Sequence, residues 1–297
     1  MIELGEIRAA RERIADAVVQ TPLVAFDDRI SLKLESLQPI GSFKLRGALN
    51  AMRAQPPQDV VTASAGNMAQ GVAWAARELG VRATVVAPDG APRAKLDRVE
   101  ALGAKVVLVP HETWWQTMVD RRYEGIDALF IHPVEDDLVM AGNGTIGLEL
   151  LETGVEFDTV VVPWGGGGLT TGIASALERR ARIVTAEPQT AAPLAASFAA
   201  GRPVEIDYAP SFVDGAGGRA ILPTMWPHAQ ELVDEAVAVP LAEVEEAVRL
   251  LATRAGVVVE GAGALALAVA LRRHDRCICI VSGRNVDSDV YARILAA

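Results

Sequence analysis

No stretch of this 297-residue chain is apolar for long enough to span a bilayer. The longest clean run, GAGALALAVAL at 261–271, falls well short of the roughly 18 residues a membrane helix needs. The N-terminal MIELGEIRAARERIADAVV alternates charged and apolar residues at helical spacing, which excludes the unbroken apolar core of a signal peptide. A cytoplasmic protein with no membrane partner is therefore expected. Basic charge is also lacking: the formal net charge of −10 leaves no electrostatic footprint for a phosphate backbone, so nucleic acid is not an expected partner. Cysteine is limited to Cys277 and Cys279, which share one face of a strand in CICIVSG and form no disulfide framework. They read as buried core residues. The four histidines, His111, His132, His228 and His274, are too scattered for a zinc site. Fixed-period repeats, low-complexity tracts and long linkers are absent as well.

What the chain does have is a core and a rhythm. Half of it is apolar, 51%, which is ample for one large domain or two modest ones. Short β-branched runs recur at 31–35, 59–64, 83–88, 104–110, 128–133, 158–164, 182–188 and 276–283. Between them lie Ala- and Leu-rich segments of helical period, such as NMAQGVAWAARELG and LAEVEEAVRLLATRAG. Strands alternating with helices predict a doubly wound α/β architecture with largely parallel sheets. The Pro-rich AQPPQDV at 54–60 and PVEDDL at 133–138 mark two breaks. They predict a small lobe over 56–136 and a large lobe built from 1–55 and 137–297, with a small-molecule site in the cleft between.

Chemistry is signalled first by VVVPWGGGGLTTGIASAL. Gly165, Gly166, Gly167 and Gly168 close a strand and open a helix, lining up free backbone N–H groups and the positive end of a helix dipole for an anion. The run lacks the Gly-Lys-Ser/Thr ending of a nucleotide P-loop, which disfavours ATP. A looser dinucleotide pattern, EGAGALA at 260–266, lacks an acidic residue ending a strand about 20 residues on. GAGGRA at 215–220 also fits that pattern.

The second signal is Lys44, one of only four lysines among 28 basic residues. In QPIGSFKLRGALNAM, Ser42 is placed to cap a helix whose apolar positions are Leu45, Leu49 and Met52, leaving Lys44 in the first turn. A cation there faces the positive end of the dipole, unfavourable for a surface lysine but useful for an amine that must shed its proton to form a Schiff base. Lysine in place of arginine is then explained, since a guanidinium cannot be deprotonated in a protein. Lys33, Lys95 and Lys105 fit ordinary strand and surface roles. A phosphate cradle beside an imine-forming lysine points to pyridoxal 5′-phosphate.

At this point the sequence resembles the serine/threonine dehydratase family of fold-type II pyridoxal-phosphate enzymes, related in fold to the tryptophan synthase β subunit. The likeness spans nearly the whole chain. It rests on LKLESLQPIGSFKLRGA, TASAGNMAQGVAWAA, PWGGGGL, AEP at 186–188, DGAGG at 214–218 and VSGRN at 281–285. The resemblance implies that Lys44 carries the cofactor and serves as general base, with Phe43 beside the ring and Gly165 to Gly168 plus Leu169 holding the phosphate. It further implies Asn67 on the ring hydroxyl, Ser282 facing the pyridine nitrogen, and Ser64, Gly66 and Asn67 binding the substrate carboxylate. The implied reaction is β-elimination: dehydration and deamination of a β-hydroxy-α-amino acid to a 2-oxo acid and ammonia.

Departures from the family pattern bear on substrate and outcome. Serine racemases of the family carry serine at the position of Ala65, and alanine cannot deliver a proton to the opposite face, so dehydration is expected over racemisation. Met68 replaces a histidine and reads either as packing or as part of a drier, larger pocket. Trp114 and Trp115 stand where relatives have one smaller aromatic. They read as small-lobe core or as a pocket wall that keeps a bulkier substrate such as phenylserine beside threonine and serine. Metal-dependent members place an acidic residue a few positions after the Glu-Pro pair; here Pro193 cannot serve, Glu187 alone remains, and no metal is expected. The chain ends soon after Ser282, so a feedback-regulatory domain is not expected. A homo-oligomer, dimer or tetramer, is. β-Replacement on the same fold and amino-acid racemisation stay open as enzyme alternatives, and a dinucleotide-binding sensor as a non-enzyme one.

Overall fold

The computed structural model describes residues 1–296 and contains two sheets. The strands are β1 (Leu23–Ala25), β2 (Ile30–Lys33), β3 (Val60–Ala63), β4 (Ala83–Pro88), β5 (Lys105–Val109), β6 (Leu129–Phe130), β7 (Thr159–Pro163), β8 (Arg182–Pro188), β9 (Glu235–Val239) and β10 (Cys277–Ile280). A six-stranded sheet runs β1-β2-β10-β7-β8-β9, parallel except for β1, and a four-stranded parallel sheet runs β5-β4-β3-β6. All eight strands expected from the sequence are present. The two that were not expected, β1 and β9, are the edges of the larger sheet, where half-exposed faces dilute the apolar signal.

β10 shows why the larger sheet is doubly wound. Its residues alternate between two cores: Cys277 and Cys279 pack among Val244, Leu251 and Leu265. Ile278 and Ile280 pack on the other face with Ile7, Ile146 and Ile173. Both faces are covered, so the strand reads as an unbroken apolar run. The smaller sheet is covered on one side by helices Lys44–Arg53 and Asn67–Leu79, whose Leu45, Leu49, Met68 and Val72 join Val60 and Val85 in one core.

Three helices, Lys44–Arg53, Asp137–Glu152 and Gly168–Leu177, stack through glycines. A Cβ on Gly142 would meet the Arg46 carbonyl at 2.5 Å, one on Gly144 the Gly172 carbonyl at 2.9 Å, and one on Gly147 the Ile173 carbonyl at 2.9 Å. These are backbone approaches that only glycine permits. The first and third helices begin at Lys44 and at the end of the glycine run, so the stack fixes the spacing between them.

Candidate active site

Lys44 is the first residue of its helix, after Phe43 in right-handed helical conformation. The expected Ser42 cap is not made: Ser42 Oγ is buried without a partner, because the segment is instead fastened to the end of β10. Ser42 bridges Gly283, and Phe43 N donates to Ser282 O at 3.1 Å. This puts Lys44 and the buried Ser282, 3% exposed, on adjoining stretches of chain. The Lys44 amine donates to the Pro133 carbonyl at 2.9 Å and lies 5.2 Å from the centre of the Phe43 ring. Burial pushes its pKa from 10.5 down to about 8. In cofactor-free protein, alkylation of Lys44 is therefore expected to rise with pH through a midpoint near 8. Peptide-resolved labelling across pH checks this, and a Lys44 midpoint at the ordinary value would mean that the amine is not poised.

The glycine run follows β7. Gly167 adopts φ +100, a left-handed conformation, and the helix Gly168–Leu177 opens with no side-chain cap. Its first-turn N–H groups thus have no intrahelical acceptor. Thr170 Oγ1, in the same turn, is buried and unpartnered. Gly166 lies against the Val134 side chain, and a Cβ position on Gly168 is 3.1 Å from the Val134 carbonyl. A methyl on Gly166 would collide with Val134 Cγ2. Gly166→Ala is expected to weaken cofactor binding about tenfold, in line with an overpacking cost of about 1–3 kcal/mol. Cofactor titration followed by absorbance measures it.

The third part is the loop after β3. Ser64 N donates to Val86 O at 3.1 Å, and Ser64 Oγ accepts from Gly66 N at 3.2 Å. Ser64, Ala65, Gly66 and Asn67 are half-buried, and Asn67 opens the helix Asn67–Leu79 at a second uncapped N-terminus. A Cβ position on Gly71 of that helix lies 3.1 Å from the Lys44 carbonyl.

Asn67 is held at both ends of its amide. Its Nδ2 donates to Glu260 Oε1 at 2.8 Å, and its Oδ1 accepts from Asn285 Nδ2 at 2.7 Å. Asn285 also donates from Nδ2 to Ile40 O at 2.9 Å and from its backbone N to Glu260 Oε2 at 3.1 Å. The Ile40 carbonyl can only accept, so it fixes the Asn285 amide, whose Nδ2 in turn fixes Asn67 Oδ1 and leaves one Asn67 N–H free. Burial, reinforced by Asp214, raises the Glu260 pKa to about 7. Lys95 pairs with Asp214 at the rim.

Other expected residues are placed elsewhere. Met68 is 2% exposed and belongs to the core under the smaller sheet, so it packs and does not line a pocket. Trp114 packs against Val61, Val86 and Val109, while Trp115 is 45% exposed on the helix His111–Asp120. A pocket wall made of these tryptophans is not what the packing gives. Leu169 is buried in the core of the larger sheet. Both Glu187 oxygens are engaged at the start of helix Pro193–Ala200, accepting from Leu194 N at 3.1 Å and Ala195 N at 2.9 Å. No group of three or more acidic, histidine or cysteine side chains is arranged for a metal among the described residues.

Glu260, Asn285, His132 and Pro133 escaped sequence reasoning. The only signal for Glu260 was EGAGALA, whose glycines have a different task. A Cβ on Gly263 would meet the Gly283 carbonyl at 2.6 Å and one on Gly261 the Val213 Cγ2 at 2.9 Å, so that helix end is packed shut against a dinucleotide.

A half-buried amine with a lowered pKa, a glycine cradle and uncapped donors at two helix starts fit pyridoxal phosphate. The amine suits the aldehyde, the cradle the phosphate, and the free Asn67 N–H a ring oxygen. Comparison with known proteins agrees. The chain is 38% identical to an L-threonine ammonia-lyase of Geobacter sulfurreducens over an alignment of 309 positions, gaps included, covering 97% of this chain and 76% of that one. Among solved structures, the T.th. threonine deaminase superposes with a TM-score of 0.88 at 37% identity, over 96% of this chain and 99% of that one. Maize serine racemase superposes with a TM-score of 0.90 at 31% identity, over 99% and 97%. The family model of pyridoxal-phosphate dependent enzymes matches residues 14–283, and the chain belongs to that family.

Proposed function

We propose that this chain is an ammonia-lyase that dehydrates and deaminates threonine or serine to the 2-oxo acid and ammonia. The observation that carries the reading is the half-buried Lys44 amine, its pKa lowered to about 8, held on the Pro133 carbonyl in the turn whose Val134 lies against the glycine run. When bound, pyridoxal phosphate supplies the electron sink that makes an amino acid's α-hydrogen acidic. Lys44 anchors the cofactor and, once displaced, takes the α-proton; an amine with a pKa of about 8 is partly neutral at pH 7 and still basic enough to act. Gly165 to Gly168, with Leu169 N–H in the helix's first turn, hold the phosphate. Phe43 packs beside the ring. Asn67 would offer its free N–H to the ring oxygen, and Ser282 would offer the ring nitrogen a neutral hydroxyl. A neutral partner holds that nitrogen's proton less firmly than a carboxylate, which suits a reaction whose leaving group removes the electrons. Ser64, Gly66 and Asn67 bind the substrate carboxylate at the helix start, where free N–H groups and the dipole favour an anion.

Release of 2-oxo acid from serine, threonine, 3-hydroxyaspartate and phenylserine, with and without magnesium, tests the reading. Threonine and serine are expected to turn over fastest, because the placement of Trp114 and Trp115 withdraws their support for an aryl substrate. Inactivity on all four would favour β-replacement. A second reading, racemisation, is raised by the likeness to maize serine racemase. Ala65 opposes it, having no proton to give. L-Serine is expected to yield pyruvate with little D-serine, and D-serine forming as fast as pyruvate would overturn this.

The same reading takes 56–136 as a small lobe and 1–55 with 137–297 as the large one, supported by the division of strands between two sheets. Helix Lys44–Arg53 sits at their seam, since its core is shared with the smaller sheet. No helix among the described residues is long and apolar enough to cross a membrane. A cytoplasmic homo-oligomer, dimer or tetramer, completes the proposal, and sedimentation of the purified protein tests its assembly.

A further inference from the structure

Between β6 and the helix Asp137–Glu152, residues His132 to Glu135 form a turn that touches both halves of the site. His132 is 2% exposed, and its Nδ1 accepts from Val134 N at 3.1 Å and Glu135 N at 2.6 Å. A ring nitrogen that accepts carries no proton, so the imidazole is the Nε2–H tautomer, with Nε2 3.8 Å from Glu135 Oε2. Burial pushes its pKa down to about 4; Glu135 opposes this, while Arg121 and Lys44 add to it. The acceptor is therefore permanent at neutral pH. Upstream, Ile131 is tied to β3 through its N–H to Val61 O at 2.9 Å and its carbonyl to Thr62 Oγ1 at 2.9 Å. Downstream, Asp136 caps the next helix through Leu138 N and Val139 N. With both ends fixed, the turn's outward groups have set directions. The Pro133 carbonyl meets the Lys44 amine, and the Val134 side chain lies on Gly166.

We propose that His132 is a positioning residue for Lys44: by holding the Val134 and Glu135 N–H groups it turns the Pro133 carbonyl onto the lysine amine. That carbonyl takes one N–H of the free amine, so the lone pair is presented away from the turn. A four-carbon lysine stem has many rotamers, and this single acceptor selects among them without neutralising the base. The proposal rests on the reading of Lys44 as general base.

His132→Phe keeps a buried ring and removes the acceptor. His132→Asn restores one, because an asparagine side chain accepts backbone N–H groups a short way along the chain. In cofactor-free protein, hydrogen exchange at the Val134 and Glu135 amides is expected to be slow in the parent, fast in H132F and slow again in H132N. In the loaded enzyme, H132F is expected to lower kcat for threonine about 10²-fold with KM little changed, the effect of displacing a reacting group by about 1 Å. H132N is expected to recover most of it. If H132F does not fold, H132Q takes its place, its longer amide being unable to make both contacts. Parent-like kcat despite lost amide protection overturns the proposal, as does an H132N that regains protection without regaining kcat. Parent inactivity on threonine and serine sinks the elimination reading itself, whereas those outcomes remove only the part given to His132.

Discussion

Lys44→Ala is expected to lower 2-oxo-acid release from threonine and serine by at least about 10⁴-fold, at the upper end of what a positioned general base contributes, because the covalent anchor is lost as well. The visible absorbance of lysine-bound cofactor is expected to vanish with it. The cause is local and double. No other lysine can substitute: Lys33 is paired with Glu149, Lys95 with Asp214, and Lys105 is exposed on β5. Lys44→Arg is expected to be as inactive, since its guanidinium neither forms an imine nor releases a proton near neutral pH. Retained dehydration in either variant would refute the assignment of the base.

The second large effect lies two residues further on. Arg46 is fully buried and donates from Nε to Glu35 at 2.8 Å and from Nη1 to Glu149 at 2.6 Å. Lys33 pairs with Glu149 in the same cluster. Two cations face two carboxylates with no solvent. Burial alone would raise the Glu35 pKa, and the Arg46 charge and hydrogen bonds reverse it, leaving it lowered. Arg46→Met leaves Glu35 buried without its ion partner, which costs about 3–5 kcal/mol and lowers the melting midpoint by roughly 10 °C. Adding Glu35→Gln is expected to return part of that loss, because an amide needs no counter-charge. Thermal unfolding of the two variants beside the parent decides it: an unchanged midpoint for Arg46→Met would mean that the cluster does not hold the helix bearing Lys44.

Those parts of the proposed site that carry their chemistry in one stretch are legible in the sequence. Lys44 stands out because a lone amine at a helix start opposes local electrostatics, and Gly165–Gly168 because four glycines exceed the needs of a turn. The glycine run's support is not visible in the sequence: Val134 packs against Gly166 from about 30 residues upstream. Glu260 and Asn285 act on Asn67 across 193 and 218 residues of chain, and neither neighbourhood announces it. Their purpose exists only after folding. His132 looked like a stray histidine because its partners are backbone N–H groups, which any sequence supplies. The tandem tryptophans carry two readings in the sequence, core or pocket wall, and the packing of Trp114 against Val61, Val86 and Val109 favours the first. Edge strands β1 and β9 were lost for the reason that makes them edges.

The three glycine-stacked helices carry a consequence for how such a site can change over time. Where backbones pack with no room for a Cβ, the separation of amine and anion cradle is a ruler cut into the backbone, with no side-chain rotamer available to reset it. If the loop at 64–67 meets the substrate as proposed, substitutions there would trade one amino-acid substrate for another without recalibrating the cofactor, while a single added methyl at Gly142 or Gly172 would change the ruler itself. Tolerance to mutation should therefore be sharply divided inside one small pocket, permissive on the side that meets the substrate and nearly closed on the side that meets the phosphate.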